Sequence, residues 1–342
     1  MNALAAILVE QKRPLEIAEV EIPVLQHGQV LVDVKASRIC GSQIGEIDGV
    51  KGPDRFLPHL LGHEGGGIVL ETGPGVRHVN PGDRVVMHWR PGAGQQSAPP
   101  VYRRGHKTVN AGWITTFNDK AVVSEDRLTT VDGSVDFDEC CLFADTLTTG
   151  FGVIANDAAV KPGQSVAVVG CGGIGLGSVL AAHLAGAHPV IAVDLHRHKL
   201  DKALAFGATH GVLAGSNDFE NEAKRIAGGA VDVVIDGTGK PAVIEQCWAL
   251  TAPSGTCVLV GVMSHWEKLS LNTLPLHFGK RLIGSHGGGS TPATDIPRLL
   301  SLLRHRNIPL KDFISHRVRL EDINDTIARM RSGEVVHAII EF

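Results

Sequence analysis

Apolar and polar residues alternate in short runs over the first part of the chain. Residues 28–39 (GQVLVDVKASRI) carry the period of two that a half-buried strand requires. GGGIVLETG (65–73), PGDRVVMH (81–88) and KAVVSEDRLTTV (120–131) are further β-rich runs, set apart by Pro-Gly and Gly-Pro turns. Residues 1–17 open on an apolar run with no basic residues before it, which predicts a first strand rather than a secretory signal. This part predicts a twisted, barrel-like antiparallel domain. From about residue 150 the pattern changes. SVAVVG (165–170), HPVIAVDL (188–195), VDVVID (231–236) and TCVLVGV (256–262) are unbroken apolar runs, as in strands buried on both faces of a parallel sheet. Helical patterns such as 176–187 and 199–208 alternate with them, which predicts a doubly wound α/β domain. The tail has two helical patterns (293–307 and 320–333) and a last strand (335–342), and is expected to pack back on the first domain. The expected bounds are 1–149, 150–285 and 286–342.

Charge and composition narrow the function classes. The chain has 342 residues with 32 Lys and Arg against 36 Asp and Glu, a net charge of −4. No positive excess exists to hold a polyanion, so no nucleic-acid partner is expected. Hydrophobic residues at 43% exclude a disordered chain. Six cysteines (Cys40, Cys140, Cys141, Cys171, Cys247 and Cys257) are too scattered for a disulfide framework and fit a reducing cytoplasm. Residues 166–193 are uncharged, but Gly170, Gly172, Gly173, Gly175, Gly177, Gly186 and Pro189 interrupt them, so no membrane span is expected.

The run VAVVGCGGIGLG (166–177) reads as G-x-G-x-x-G through Gly170, Gly172 and Gly175, placed between a strand and a helix. Gly173 and Ile174 share the turn. Such a turn lets backbone N–H groups approach a pyrophosphate at the positive end of a helix. Asp194 closes the next strand, 19 residues after Gly175, where a carboxylate accepts hydrogen bonds from ribose hydroxyls and repels a 2′-phosphate. NAD(H) is therefore the expected dinucleotide, although Arg197 nearby offsets part of that repulsion. Lys199, on the helix that follows, is a further contact candidate.

Three pieces of the β-rich half carry metal-binding residue types: RICGSQ with Cys40 and Ser42, LLGHEGGG with His63 and Glu64, and FADTLTTGFG with Asp145. Alone, a Cys is a small buried hydrophobe, a His-Glu a surface pair and an Asp a cap. Together they supply a thiolate, an imidazole and one or two carboxylates, and catalytic zinc takes three protein ligands with one position open. Cys140 and Cys141 are rival donors a turn or two before Asp145.

The order Cys-Gly-Ser, Gly-His-Glu, Thr-Thr-Gly-Phe-Gly and Gly-x-Gly-Gly-x-Gly-Leu-Gly resembles the medium-chain zinc-dependent alcohol dehydrogenases, along the whole chain. The resemblance implies a GroES-like catalytic domain, a Rossmann NAD-binding domain and a C-terminal segment that returns to the catalytic domain. It implies one zinc ion per subunit on Cys40, His63 and Asp145, the aspartate standing where a cysteine is commoner, with Glu64 as a transient fourth ligand. The four structural-zinc cysteines of many members are missing from residues 88–113. Zinc would acidify the alcohol and hydride would pass to the nicotinamide. Ser42 corresponds to the hydroxyl that takes the alcohol proton, and Gln43 stands where an aspartate usually orients the histidine. Gly45 replaces the histidine that often ends the relay. Thr149, Val260, Gly261, Val262 and His286 are cofactor-contact candidates, and His337 sits where the family often places a pyrophosphate-binding arginine. The substrate is a small alcohol or carbonyl compound: a polyol, a sugar, a secondary alcohol, or an anionic alcohol met by the basic stretch Arg90, Arg103, Arg104, His106 and Lys107. A homodimer or homotetramer is expected. Two other readings stay open, a zinc-free quinone or enoyl reductase and a non-catalytic NAD-binding protein.

Overall fold

The computed structural model describes residues 1–215 and 219–342. Two compact units emerge, one of Met1–Asp145 with Thr291–Phe342 and one of Thr146–Ser290. The boundaries fall at 145/146 and 290/291, a few residues from those expected, because the helix carrying Thr149 packs with the second unit rather than the first.

In the first unit the alternating run at 28–39 becomes the strand Gln29–Arg38, paired antiparallel with both Glu64–Thr72 and Lys120–Ser124. One face carries Val30, Val32 and Val34 into a core with Val69, Val85, Met87, Ala121 and Val123. Leu31, on the opposite face, joins Ala3, Ala5, Ile7, Val20 and Tyr102. Each such fully buried aliphatic side chain contributes about 1.5–3 kcal/mol through removal from water. The sheet runs Leu128–Thr130, Arg84–His88, Glu64–Thr72, Gln29–Arg38, Ala338–Glu341, His316–Val318, and a small closed barrel holds Asn2–Leu8, Glu16–Glu21, Val101–Arg104, Lys107–Asn110 and His59–Leu60.

The tail is stitched into this unit. Ala338–Glu341 pairs antiparallel with Gln29–Arg38, Ile339 standing opposite Arg38. Leu320, Ile323, Ile327 and Ile340 join Ile39, Leu61 and Phe117 in one core. The helix Phe137–Ala144 opens with a capping box of Asp136 and Glu139, which satisfies the first free N–H groups. It lies directly on Glu64–Thr72 because Gly66 has no side chain: a Cβ there would sit 2.7 Å from the Cβ of Cys140. That close approach seats the helix on the strand, and the helix ends at Asp145.

The second unit is a six-stranded parallel sheet in the order His210–Leu213, Val190–Asp194, Val166–Val169, Val231–Asp236, Thr251–Leu259, Arg281–Gly284. The direction of strand addition reverses beside Val166–Val169, and open α/β sheets bind ligands at that crevice. Among the described residues no helix is long and apolar enough to cross a membrane.

Candidate metal and cofactor sites

Cys40, His63 and Asp145 are far apart in sequence, and three local features bring them together. Cys40 follows the central strand and caps the short helix Gly41–Ile47, whose Gln43 turns back so that its Oε1 accepts the Cys40 N–H at 3.2 Å. His63 immediately precedes the strand Glu64–Thr72. Asp145 caps the C-terminus of Phe137–Ala144, at φ −150° and ψ −56°, where the chain turns out of the helix. One donor atom from each of Cys40, His63, Glu64 and Asp145 lies within 4.8 Å of the others. His63 Nε2 is 3.7 Å from Asp145 Oδ2 and 3.6 Å from Glu64 Oε1.

The donor set fits zinc: a sulfur, an imidazole nitrogen and a carboxylate oxygen, with room for a fourth group. Electrostatics agree. Burial by itself pulls the His63 imidazole down, but Asp145, Cys40 and Glu64 around it hold it well above its ordinary value. The surrounding anionic donors thus favour a cation at this point. The rival thiols do not join them. Cys140 and Cys141 are enclosed in the helix packing, and burial pushes Cys140 up to about 12 and Cys141 well above its ordinary value.

Every donor is braced. The Gln43 side-chain amide touches His63 Nδ1. Nε2 faces the donor cluster, and the Gln43 side chain bridges the other ring nitrogen and the Cys40 N–H, which fixes the ring's orientation. Ser42 Oγ is 3.4 Å from His63 Nε2, within reach of a ligand in the open position. Glu64 is paired with Arg38, whose Nη1 donates to Oε1, the oxygen nearest His63, at 2.6 Å with both side chains all but sealed from water, 3% and 0% exposed. Burial opposes the charge on Arg38, yet Glu64 and then Cys40 raise its pKa above the usual guanidinium value. Trp89 Nε1 donates to Asp145 Oδ1 at 2.9 Å.

His337 corrects an expectation. It is fully buried in the catalytic unit, its Nδ1 accepts from Arg38 Nε at 3.0 Å and its ring packs edge-on against Phe313. It supports Arg38 and is closed to a cofactor. The basic stretch also departs from expectation. Arg103, Arg104 and Lys107 lie on an exposed hairpin of the closed barrel and His106 in its turn, with Arg104 paired to Glu16 at 2.6 Å. None of these lines the cavity beside the metal cluster. That cavity, about 860 Å³, is walled by Leu60, Leu61, Phe56, Trp113 and Ile114, reaches His63 and Gln43, and has Lys51 and Arg55 as its cations.

In the second unit the candidates gather at the C-terminal ends of the parallel strands. Gly170 follows Val166–Val169, and Gly172 caps the helix Gly173–Leu184, in whose first turn Ile174 and Gly175 lie. A Cβ at Gly175 would meet the Gly170 carbonyl oxygen at 2.0 Å, so only glycine lets the helix approach the strand this closely. Asp194 ends its strand, Oδ2 accepting the Cys171 N–H at 2.8 Å and Oδ1 the His196 N–H at 2.9 Å. The acid therefore braces the glycine turn. Lys199 is half-buried on the helix Arg197–Ala205. Val260 and the exposed Val262 follow Thr251–Leu259, and exposed His286 follows Arg281–Gly284. Thr149 is buried in the helix Thr146–Gly152, which packs on Gly173–Leu184.

Comparison with known proteins agrees with this geometry. Residues 26–133 match the alcohol dehydrogenase GroES-like domain and residues 173–305 the zinc-binding dehydrogenase domain. The class-3 alcohol dehydrogenase of Cereibacter sphaeroides is 31% identical over the full length of both chains. The chain belongs to the medium-chain zinc-dependent alcohol dehydrogenases. Zn2+ and NAD(H) are the cofactors of this dehydrogenase, and its reaction class is hydride transfer between an alcohol and NAD(H). The S-(hydroxymethyl)glutathione dehydrogenase of Paracoccus denitrificans is 29% identical, covering 99% of this chain and all of the relative. The crystal structure of benzyl alcohol dehydrogenase from Acinetobacter calcoaceticus superposes with a TM-score of 0.89 at 25% identity, covering 100% of this dehydrogenase and 99% of that chain.

Sequence reasoning missed Arg38, Trp89 and the cavity cations. Arg38 had a faint signal, a charge at the end of the alternating strand and two residues before Cys40. Trp89 had none, since nothing local ties it to Asp145, 56 residues away.

Proposed function

We propose that the dehydrogenase oxidises an alcohol with an apolar or aromatic body, Cys40, His63 and Asp145 holding the zinc ion. The observation that carries this is the convergence of those donors within 4.8 Å at the end of a cavity with apolar walls. When bound, zinc supplies Lewis-acid polarisation that acidifies the alcohol. The residues do the rest. Ser42 Oγ accepts the alcohol proton while passing its own hydroxyl proton on to water. Gln43 keeps the His63 ring oriented, and Arg38 keeps Glu64 paired so that the substrate position stays open. In the other unit, N–H groups of the turn through Gly170, Gly172 and Gly173 hold the pyrophosphate at the start of a helix, and Asp194 holds the adenosine ribose. One unit thus holds the alcohol and the other carries the hydride acceptor.

Lys51 and Arg55 are the cations of the cavity, but Glu46 and Asp54 line it too and Lys51 pairs with Glu46 at 3.9 Å, so its charges balance, which supports an uncharged substrate. Exposed Val262, Trp266, Leu274, Leu276 and Phe278, next to the edge strand Arg281–Gly284, support a homo-oligomer formed on the NAD-binding unit.

The test is a screen of alcohols with NAD by the zinc-loaded protein, followed by the absorbance of the reduced cofactor. Benzylic and long primary alcohols are expected to turn over, and activity should vanish on dialysis against a chelator and return with zinc. Turnover that survives chelation would leave the zinc-free reductase reading instead. Cofactor binding without turnover of any alcohol or carbonyl would leave the non-catalytic one.

A further inference from the structure

The third metal donor of this dehydrogenase is a carboxylate with two oxygens, in a site that uses one. A thiolate presents a single sulfur. A carboxylate in its place can also grip the ion through both oxygens, which adds a ligand and fills the position a substrate needs. Something must therefore decide which oxygen is offered. Asp145 Oδ2 faces His63 Nε2 at 3.7 Å, on the metal side. Oδ1 is on the other side and accepts the indole N–H of Trp89 at 2.9 Å.

The indole is itself held in place. Trp89 follows the strand Arg84–His88, in which His88 stands opposite Glu64. Its carbonyl oxygen accepts Arg127 Nη1 at 3.0 Å. The next carbonyl, of Arg90, accepts His88 Nδ1–H at 2.7 Å, and Gly92 N–H bonds the Asp126 carbonyl at 2.7 Å. Its ring stands 6.5 Å from the His63 ring, tilted by 50°. Backbone contacts thus aim the N–H before any ligand arrives.

We propose that Trp89 is a positioning residue that makes Asp145 a one-oxygen ligand: its N–H occupies Oδ1, so Oδ2 alone reaches the ion and the fourth position stays open. This rests on the zinc reading given above, and the experiment separates the two. The variant is Trp89→Phe, which keeps an aromatic ring and deletes the N–H. Cobalt(II) replaces zinc as a coloured probe. Wild type should show the intense visible bands of a four-coordinate ion. Trp89→Phe should show weaker bands, from a fifth ligand, and hold zinc about 10–100-fold less tightly in competition with a chelator, as expected when the partner of a metal ligand is lost.

A second measurement does not depend on Trp89→Phe remaining well folded. The chain has four tryptophans, so wild type labelled with 15N at the indole nitrogen gives four N–H signals. Trp248 and Trp113 bond backbone carbonyls, and Trp266 is 73% exposed. The Trp89 signal, assigned by elimination from Trp113→Phe, Trp248→Phe and Trp266→Phe so that Trp89→Phe itself is not required, should exchange slowly with water and shift when zinc is added. Unchanged cobalt bands and zinc affinity in Trp89→Phe would overturn the proposal. So would a Trp89 signal that exchanges as fast as that of Trp266 and ignores zinc. If wild type binds neither ion, the zinc reading fails and the proposal falls with it.

Discussion

Replacing Arg38 by methionine strips the cation from a carboxylate that water cannot reach. The Glu64 side chain is 0% exposed and its Oε1 lies 2.6 Å from the guanidinium, so hydration cannot take over when the arginine is gone. Breaking a buried pair from one side costs about 3–5 kcal/mol, since one charge is left in a poorly polarisable interior. For a unit of this size each kcal/mol lowers the melting temperature by about 2–4 °C, so metal-free Arg38→Met should melt roughly 6–20 °C below wild type. Zinc should narrow that gap. The freed carboxylate, 3.6 Å from His63 Nε2, can turn onto the ion, which compensates its charge and at the same time occupies the substrate position. Activity should then fall even where stability recovers. Glu64→Gln in the same background removes the stranded charge and should restore much of the stability of the metal-free protein. The assay is scanning calorimetry of the two single variants and the double variant, with and without zinc, each paired with a turnover measurement. Arg38→Met melting within about 2 °C of wild type in the metal-free state would refute the reasoning, because a sealed carboxylate that needs no cation is not a buried charge.

Other outcomes follow from the same geometry. Asp194→Ala removes the acid from the ribose position and a brace from the Cys171 N–H, so NAD should bind about 10–100-fold more weakly, at roughly 1.5–3 kcal/mol per charge-assisted hydrogen bond. Discrimination against NADP should relax with it; isothermal titration of both cofactors reads this, and an unchanged preference would remove Asp194 from the ribose. Cys40→Ala and His63→Ala should abolish zinc retention and turnover while NAD affinity stays within about two-fold, since the NAD cradle belongs to a separate compact unit. Burial, and the charge of Arg127 nearby, lower His88 to about 4, so it is neutral when folded and must take up a proton on unfolding below its ordinary value of 6.5. The unfolded chain binds the extra proton between pH 6.5 and 4, so stability rises with pH across that window and falls as pH drops through it, by roughly 3 kcal/mol in all. His88→Gln should flatten the dependence of the denaturation midpoint on pH in this window; an equally steep dependence would exclude His88 as its source.

Much of this enzyme was legible in its residues because the relevant physics is local. Unbroken apolar runs between helical patterns are how a parallel sheet buried on both faces must read, and Gly170 to Gly175 between strand and helix is what a pyrophosphate turn demands. Cys40, His63 and Asp145 were legible as donor types, and a carboxylate at 145 preserves the negative charge of a thiolate. What local sequence cannot carry is which side chains face one another. Arg38 meets Glu64, Trp89 meets Asp145, and His337, expected at the cofactor, supports Arg38, all through the packing of elements remote in sequence. The cations of the cavity turned out to be Lys51 and Arg55, because Arg103 and Arg104 lie on a hairpin whose exposed side only strand pairing defines. Sequence by itself determined the element types, the glycine turn and the kinds of metal donor, since propensity, periodicity and ligand chemistry belong to single residues and their near neighbours. Tertiary structure alone decided the partner of each donor, because register and packing place atoms to a fraction of an ångström across gaps such as the 299 residues between Arg38 and His337, and hydrogen bonds and ion pairs act only at such precision.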